Sequence, residues 1–454
     1  VSPKYGWAQM HLGKYVPDYS DLSTGNTPVF GGGFDLRPGN FQIAAFYGNS
    51  QRAVNADTNA GIPGAYASDF FSARLAYLGD KGSSIGLNLV QVSDDTNSVE
   101  NKPLTDLPSN GMLTTMDFTV AFTNFLHLYG EGGVCYYTRN VYSDEIEGDE
   151  LTFIPDPFMP KYSSRYDFAA KGGVLIKQKT WEVDISGLFI GDGYEPLGYR
   201  FMQTDRIEYT IAPKIRLLNN KLMLNGSLGQ RFNNYQDTKA ESSIQLIGSV
   251  GAYAQITDRF SLSADFSNYG VRNNIDNDTL KVEIVSKAFS VTPAYSFRSS
   301  NASHRVSATY SQDDFSDLNT LTQQFQDNTT QSFMLAYSVR FENIPLSLNT
   351  SFNHVQNDVK NAELELNALN LGGSYSFLKN KLTPDVRFTV SQNSVGDNSS
   401  DVRIGARGGL RYEILKGLSL RLSANLNSYD YGSSRNNMAY TETFIRTKLS
   451  YRFL

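Results

Sequence analysis

Thr441-Glu-Thr-Phe-Ile-Arg-Thr-Lys-Leu-Ser-Tyr-Arg-Phe-Leu454 is the stretch of this 454-residue sequence that decides the fold. Every second position from Thr443 through Ile445, Thr447, Leu449, Tyr451 and Phe453 is apolar, aromatic or uncharged. Between them stand Arg446, Lys448, Ser450 and Arg452. A period of two sends the two sets to opposite faces of a strand, one suited to hydrocarbon and one to water. Upstream, Ser419, Arg421, Ser423, Asn425 and Asn427 alternate with Leu418, Leu420, Leu422, Ala424 and Leu426. Ser347, Asn349, Ser351 and Asn353 alternate with Leu346, Leu348, Thr350 and Phe352 in the same way.

Alternating segments of about ten residues recur along the whole chain, which is the sequence signature of a transmembrane β-barrel. Their connections alternate in length. Tight ones fall at 37–40, 79–82, 177–179, 218–221, 257–259, 342–345, 379–381 and 416–417. Longer polar ones fall at 15–28, 49–67, 94–111, 140–163, 192–204, 233–241, 273–278, 313–328, 356–361, 394–400 and 429–437. The fold class this predicts is all-β: one antiparallel up-and-down barrel domain over 1–454, with about 22 strands, short periplasmic turns and longer extracellular loops. With an even count, both termini lie on the short-turn, periplasmic side. A soluble β-helix, propeller or sandwich also shows period two, but needs its apolar face inside. Aromatic pairs such as Phe118 and Phe122, Tyr295 and Phe297, Tyr337 and Phe341, Tyr375 and Phe377, and Tyr451 and Phe453 cluster near the short-turn ends of the apolar faces. That placement predicts an interfacial girdle, and so puts the apolar face toward lipid.

Composition agrees with this class. The 37 glycines, 27 tyrosines and 28 phenylalanines are spread from end to end, with no linker or low-complexity block. No run approaches the roughly 18 apolar residues of a membrane helix. Mean hydropathy is slightly negative, as expected when only alternate strand residues face lipid. A single cysteine, Cys135, allows neither an intrachain disulfide nor a thiolate zinc cluster. A formal net charge of −6 argues against a nucleic-acid partner. The sequence begins at Val1, which suits removal of a signal peptide or absence of an N-terminal segment.

Assigning the polar face inward allows the lumen wall to be read. The last strands carry Arg387, then Arg403, Arg407 and Arg411, then Arg421, then Arg446, Lys448 and Arg452, with Asp385 and Glu413 the main acids. Between Met112 and Arg216 the same face carries Asp117, Glu131, Asp167, Glu182, Asp184 and Glu208, with Lys171, Lys214 and Arg216 interspersed. Strands half a barrel apart stand on opposite walls, so a basic wall is expected to face a more acidic one. Such a field tunes selectivity in pores, whereas the plainer reading is a polar lumen whose charges pair for stability. Barrels of this width are usually plugged, yet no loop is long enough to be an obvious plug. The longest, 140–163, carries Asp144, Glu145, Glu147, Asp149 and Glu150 and reads as a solvated surface loop rather than a constriction.

Catalysis finds little support. His11, His127, His304 and His354 lie on separate predicted strands without metal-ligand spacing. The remaining enzyme arrangement sets His304 beside Asp313 and Asp314 at a rim. Gly130-Glu-Gly-Gly133 is a poor phosphate loop, and its small residues more naturally relieve crowding in a curved strand. No catalytic residue, metal or cofactor is predicted.

The closing strand resembles that of bacterial outer-membrane barrels, a resemblance that assigns Tyr451, Phe453 and Leu454 to the assembly signal. Ser2-Pro-Lys-Tyr-Gly-Trp-Ala-Gln-Met-His-Leu-Gly13, Phe30-Gly-Gly-Gly-Phe-Asp-Leu-Arg-Pro-Gly39 and the segment 41–48 are similar to uncharacterised outer-membrane barrels of Bacteroidota/Chlorobi-type Gram-negative bacteria. That likeness implies an outer-membrane location, with lipid, lipopolysaccharide and the barrel-assembly machinery as partners. It carries no functional residues. The expected function is a porin-like channel for small solutes through a charge-polarised lumen. The alternative is a non-conducting barrel subunit of a larger transport, secretion or assembly complex, its lumen filled or capped by a partner protein.

Overall fold

The computed structural model describes residues 2–25, 27–57, 59–103, 106–146, 160–195, 203–359, 362–396, 400–432 and 439–451. The described residues form one antiparallel sheet of 23 strands, with helix confined to isolated turns such as Gln323–Gln326. The all-β, up-and-down plan of an outer-membrane barrel is therefore what the chain adopts.

The strands begin with a stub, β1 (Lys4–Tyr5), then β2 (Ala8–Tyr15), β3 (Val29–Leu36), β4 (Phe41–Gln51) and β5 (Ala67–Leu78). Next come β6 (Ser84–Asp95), β7 (Asn110–Ala121), β8 (Leu126–Thr138), β9 (Ser164–Lys177) and β10 (Trp181–Ile190). β11 (Arg206–Leu217), β12 (Leu222–Asn233), β13 (Ser243–Gln255), β14 (Phe260–Asn273) and β15 (Glu283–Arg298) follow. β16 (Ala302–Asp317), β17 (Asn328–Phe341), β18 (Leu346–Val359) and β19 (Ala362–Tyr375) are long. The last are β20 (Leu382–Val395), β21 (Asp401–Leu415), β22 (Leu418–Asp430) and β23 (Ala439–Tyr451). Setting aside the stub leaves 22 full strands, the number expected.

By their contacts the residues fall into two compact units, 1–211 with 229–243, and 212–228 with 244–454. In the first, each strand from β2 to β10 pairs antiparallel with its neighbour in sequence. In the second, the same holds from β14 to β23. Connection lengths alternate as predicted as far as β17–β18. The order then breaks, since β18 ends at Val359 and β19 begins at Ala362, whereas six residues separate β19 from β20. A two-residue connection, Lys416-Gly417, joins β21 to β22, and there Gly417 takes φ +88°, a backbone angle that favours a residue without Cβ. Two expected loops are shorter than predicted, because β16 runs on to Asp317 and β18 to Val359.

The two faces of the sheet are inverted relative to a soluble protein. In the first unit Leu75, Leu87 and Met116 are about half exposed. Their strand neighbours Asn88 and Thr115 are buried, as is the Arg74 side chain at 10%. In the second unit Leu371, Val386, Phe388 and Val390 stand equally open on one face. Each such side chain transferred into hydrocarbon gains roughly 1.5–3 kcal/mol, which no aqueous solvent supplies. Strands of 12–16 residues also exceed the 9–11 that cross a bilayer, so their ends project beyond it. β18 and β19 display the boundary. Leu346, Leu348, Thr350 and Phe352 lie opposite Tyr375, Gly373, Leu371 and Leu369, and beyond them His354, Gln356 and Asp358 oppose Asn367, Glu365 and Glu363.

The girdle is built at the short-turn ends. Tyr295 lies 5.8 Å from Phe297, Phe297 stacks 4.6 Å from His304, and His304 stacks on Tyr337 with its Nδ1 2.8 Å from the phenol oxygen. Tyr375 and Phe377 are 4.4 Å apart. Amphipathic rings of this kind suit a headgroup boundary.

Candidate functional site

The first unit carries what the sequence reading missed. The first long connection, from Tyr15 to Val29, folds back over the polar face of its own strands. Leu22 packs into a cluster with Val29, Phe46, Phe70, Val90, Val92, Leu113, Cys135, Ala169, Ile190 and Tyr194. The loop backbone is held by side chains of the wall below. Glu131 accepts the Leu22 N–H at 3.0 Å, Arg74 donates to the Tyr19 carbonyl at 3.2 Å, and the Tyr194 hydroxyl donates to the Leu22 carbonyl at 2.7 Å. Ser20 lies 3.2 Å from Thr115, and Asp21 pairs with Lys171. Burial pushes the Tyr19 phenol up to about 12, and raises that of Tyr194 as well, so both stay neutral under the loop. Gly133 is required here, because a Cβ would meet the Tyr194 hydroxyl and the Thr115 methyl within 3 Å. Length directs the search for a plug to the longest loops, yet it is this shorter one that packs on the polar face. The signal was in the strands: Phe46, Phe70, Val90, Val92 and Leu113 make β4–β7 apolar on both faces, and an apolar patch on the water-facing side must be covered.

The predicted acidic residues of this unit are mostly engaged. Asp117 receives two bonds from the Arg74 guanidinium, at 2.6 and 3.0 Å, and one from Asn88 at 2.8 Å. Glu131 binds the loop. Asp167 accepts the Gly193 N–H at 2.8 Å, Asp184 the Tyr129 hydroxyl at 2.7 Å, and Glu208 pairs with Arg231 at 2.8 Å. Glu182 stands opposite Lys177 in the register. Five of the six, Asp117, Glu131, Asp167, Asp184 and Glu208, thus bond to groups of the wall or its loops.

The second unit gathers the basic residues. Register places Arg387 directly opposite Arg407, and Arg411 opposite Arg421, which in turn opposes Lys448. Arg446 opposes Ser423, and Arg403 opposes Tyr429. All seven share one face of β20–β23. Among the described residues none has a carboxylate within 4 Å. Arg403 instead donates to the Asn427 amide oxygen at 3.0 Å and lies 5.3 Å from the Tyr429 ring, and Arg446 lies 5.4 Å from that of Phe444. Like charges directly opposed across strands are destabilising, so this face keeps a strain that pairing would have removed. An open cleft of about 540 Å³ lies along it, lined by Arg387, Thr389, Arg403, Gly405, Arg407, Asn425, Asn427, Glu442 and Phe444. Arg452, Phe453 and Leu454 lie outside the described residues, as does most of 140–163. Tyr451 is exposed on the apolar face.

The rim arrangement weighed for an enzyme does not form. His304 pairs with Val339 and stacks on aromatics, whereas Asp313 and Asp314 lie nine and ten residues along β16, about 30 Å away. Cys135 is buried and donates to the Glu195 carbonyl at 3.1 Å. His11 stacks on Tyr15, and His354 meets the Asn367 amide oxygen at 2.9 Å.

No protein-family model matches this chain, and no curated protein matches it. Among solved structures it is similar to OccAB2 of Acinetobacter baumannii, at 10% identity and TM-score 0.37, covering 84% of this chain and 97% of that one. OprD of Pseudomonas aeruginosa matches at 10% identity and 0.38, covering 84% and 94%. The RagAB peptide transporter matches at 11% identity and 0.38, covering 80% of this chain and 51% of that one. Similarity at this level transfers no function, which must be argued from the two faces described above.

Proposed function

We propose that the chain is an outer-membrane channel of a Bacteroidota/Chlorobi-type Gram-negative bacterium, passing small solutes along the polar faces of its strands. In this reading residues 1–454 close into one barrel, with both ends on the periplasmic side and the long loops outside. The aromatic-rich end that includes Tyr451 serves the barrel-assembly machinery, and the apolar faces meet lipid and lipopolysaccharide.

One observation carries the reading. Seven cations lie on a polar face with no carboxylate within 4 Å among the described residues, and three of them, Arg387, Arg403 and Arg407, line an open cleft, while the opposite face is apolar and exposed. A wall needed only for support would pair its charges, as β5 and β7 do through Arg74 and Asp117. Free cations beside water attract anions and set the selectivity of a pore. The loop from Tyr15 to Val29 supports the same reading, since it narrows part of the polar surface without a partner chain.

Single-channel recording of the purified chain in planar bilayers tests this. A large, stable conductance is expected. A chain that stays silent and co-purifies stoichiometrically with other envelope proteins contradicts it, and favours the complex-subunit alternative.

A further inference from the structure

Resting on the channel reading, we infer that the cleft on β20–β23 is a binding site for a doubly charged oxyanion, either a phosphate group or a pair of carboxylates on one small solute. The argument begins with Arg387 and Arg407. They are direct cross-strand partners, so their backbones stand about 5 Å apart. Both guanidiniums line the same cleft. Neither has a carboxylate within 4 Å, so the pair presents two uncompensated charges to one small volume.

A single guanidinium suffices to hold a monocarboxylate in a bidentate bond. Two side by side match a ligand of charge −2, which cancels their mutual repulsion and accepts their parallel N–H donors. Gly405 and Thr389 lie in the next row across the same strands, so the space beside the pair is not filled by long side chains. Thr389, Asn425 and Asn427 offer neutral donors and acceptors to the body of the solute, and Phe444 supplies one apolar surface. Asp385, the nearest acid on β20, has its carboxylate over Gly409 and is not part of the cleft lining. The one acid in that lining, Glu442, lies opposite Asn427 on β22–β23 and has no cation within 4 Å among the described residues.

The site also has steps. Arg403 stands four residues along β21 from Arg407, and Arg411 four residues the other way, intervals of about 13 Å. Arg411 begins a second cationic row with Arg421 and Lys448. An oxyanion leaving the pair therefore finds another cation within reach in either direction, as conduction through a binding site requires.

The test is calorimetry of the detergent-purified full chain with inorganic phosphate, succinate and acetate at low salt. Phosphate or succinate is expected to bind at least tenfold tighter than acetate, and which of the two does so identifies the source of the dianion. Replacing both members of the pair (Arg387→Gln with Arg407→Gln) should weaken that binding at least tenfold. Arg305→Gln, which removes a cation from β16 outside the cleft, should leave it unchanged. Equal affinity for acetate, no binding of either dianion, or undiminished binding in the paired variant overturns the site. Calorimetry needs no conduction, so a chain that binds dianions but never conducts contradicts the channel and leaves the site standing. A conducting chain that treats acetate and phosphate alike contradicts only the site.

Discussion

Arg74 and Arg411 are the same residue type on the polar face of the same sheet, and their surroundings are opposite. Arg74 is buried under a loop, gives Asp117 two bonds, and donates as well to Asn88 and to the Tyr19 carbonyl. Arg411 looks across its strand pair at Arg421, with Lys448 beyond, and among the described residues has no carboxylate within 4 Å. One arginine holds structure together, and the other raises the energy of the strands that carry it. Polarity alone therefore does not mark function on such a face. Compensation does: where each charge has its partner the wall is architecture, and where none has, the wall is free to take a ligand from solution.

The sharpest way to break this contrast is to remove each arginine. Arg74→Leu leaves the part-buried Asp117 carboxylate without its counter-charge and takes away one anchor of the loop. The expected loss is about 3 kcal/mol of stability in urea unfolding, together with new proteolytic cleavage between Tyr15 and Val29. A variant as stable as wild type would show that the pair is incidental. The smaller effect is expected at the other arginine. Arg411→Gln should cost no stability, and relief of the opposed charges should raise it by up to about 0.5 kcal/mol. A loss comparable to that at Arg74 would mean that Arg411 is structural after all.

How much could be read in advance also differs between the two regions. In β18–β23 each strand is apolar on one face and small, hydroxylated or charged on the other, so strand number, register parity and the basic row were all legible from period two. Arg387, Arg403, Arg407, Arg411, Arg421, Arg446 and Lys448 came out on one face because that face follows from alternation alone. In β4–β7 the alternation fails, since Phe46 and Phe70 stand beside Tyr47 and Phe71. The reason lies more than twenty residues away, in Leu22 and its loop. Contacts of that separation leave no periodic trace, so the cover over the acidic strands was invisible, and its carboxylates looked like a free wall. They are instead bound by Arg74, Tyr129, Arg231 and backbone N–H groups.

The central claim is that the uncompensated row on β21–β23 sets what passes through the channel. The reversal potential of single channels across a potassium chloride gradient tests it most directly. The account predicts anion preference in the wild-type chain, reduced or reversed when Arg411, Arg421 and Lys448 are all replaced by Gln. A cation-selective wild type, or a preference unchanged by loss of the three charges, would contradict it.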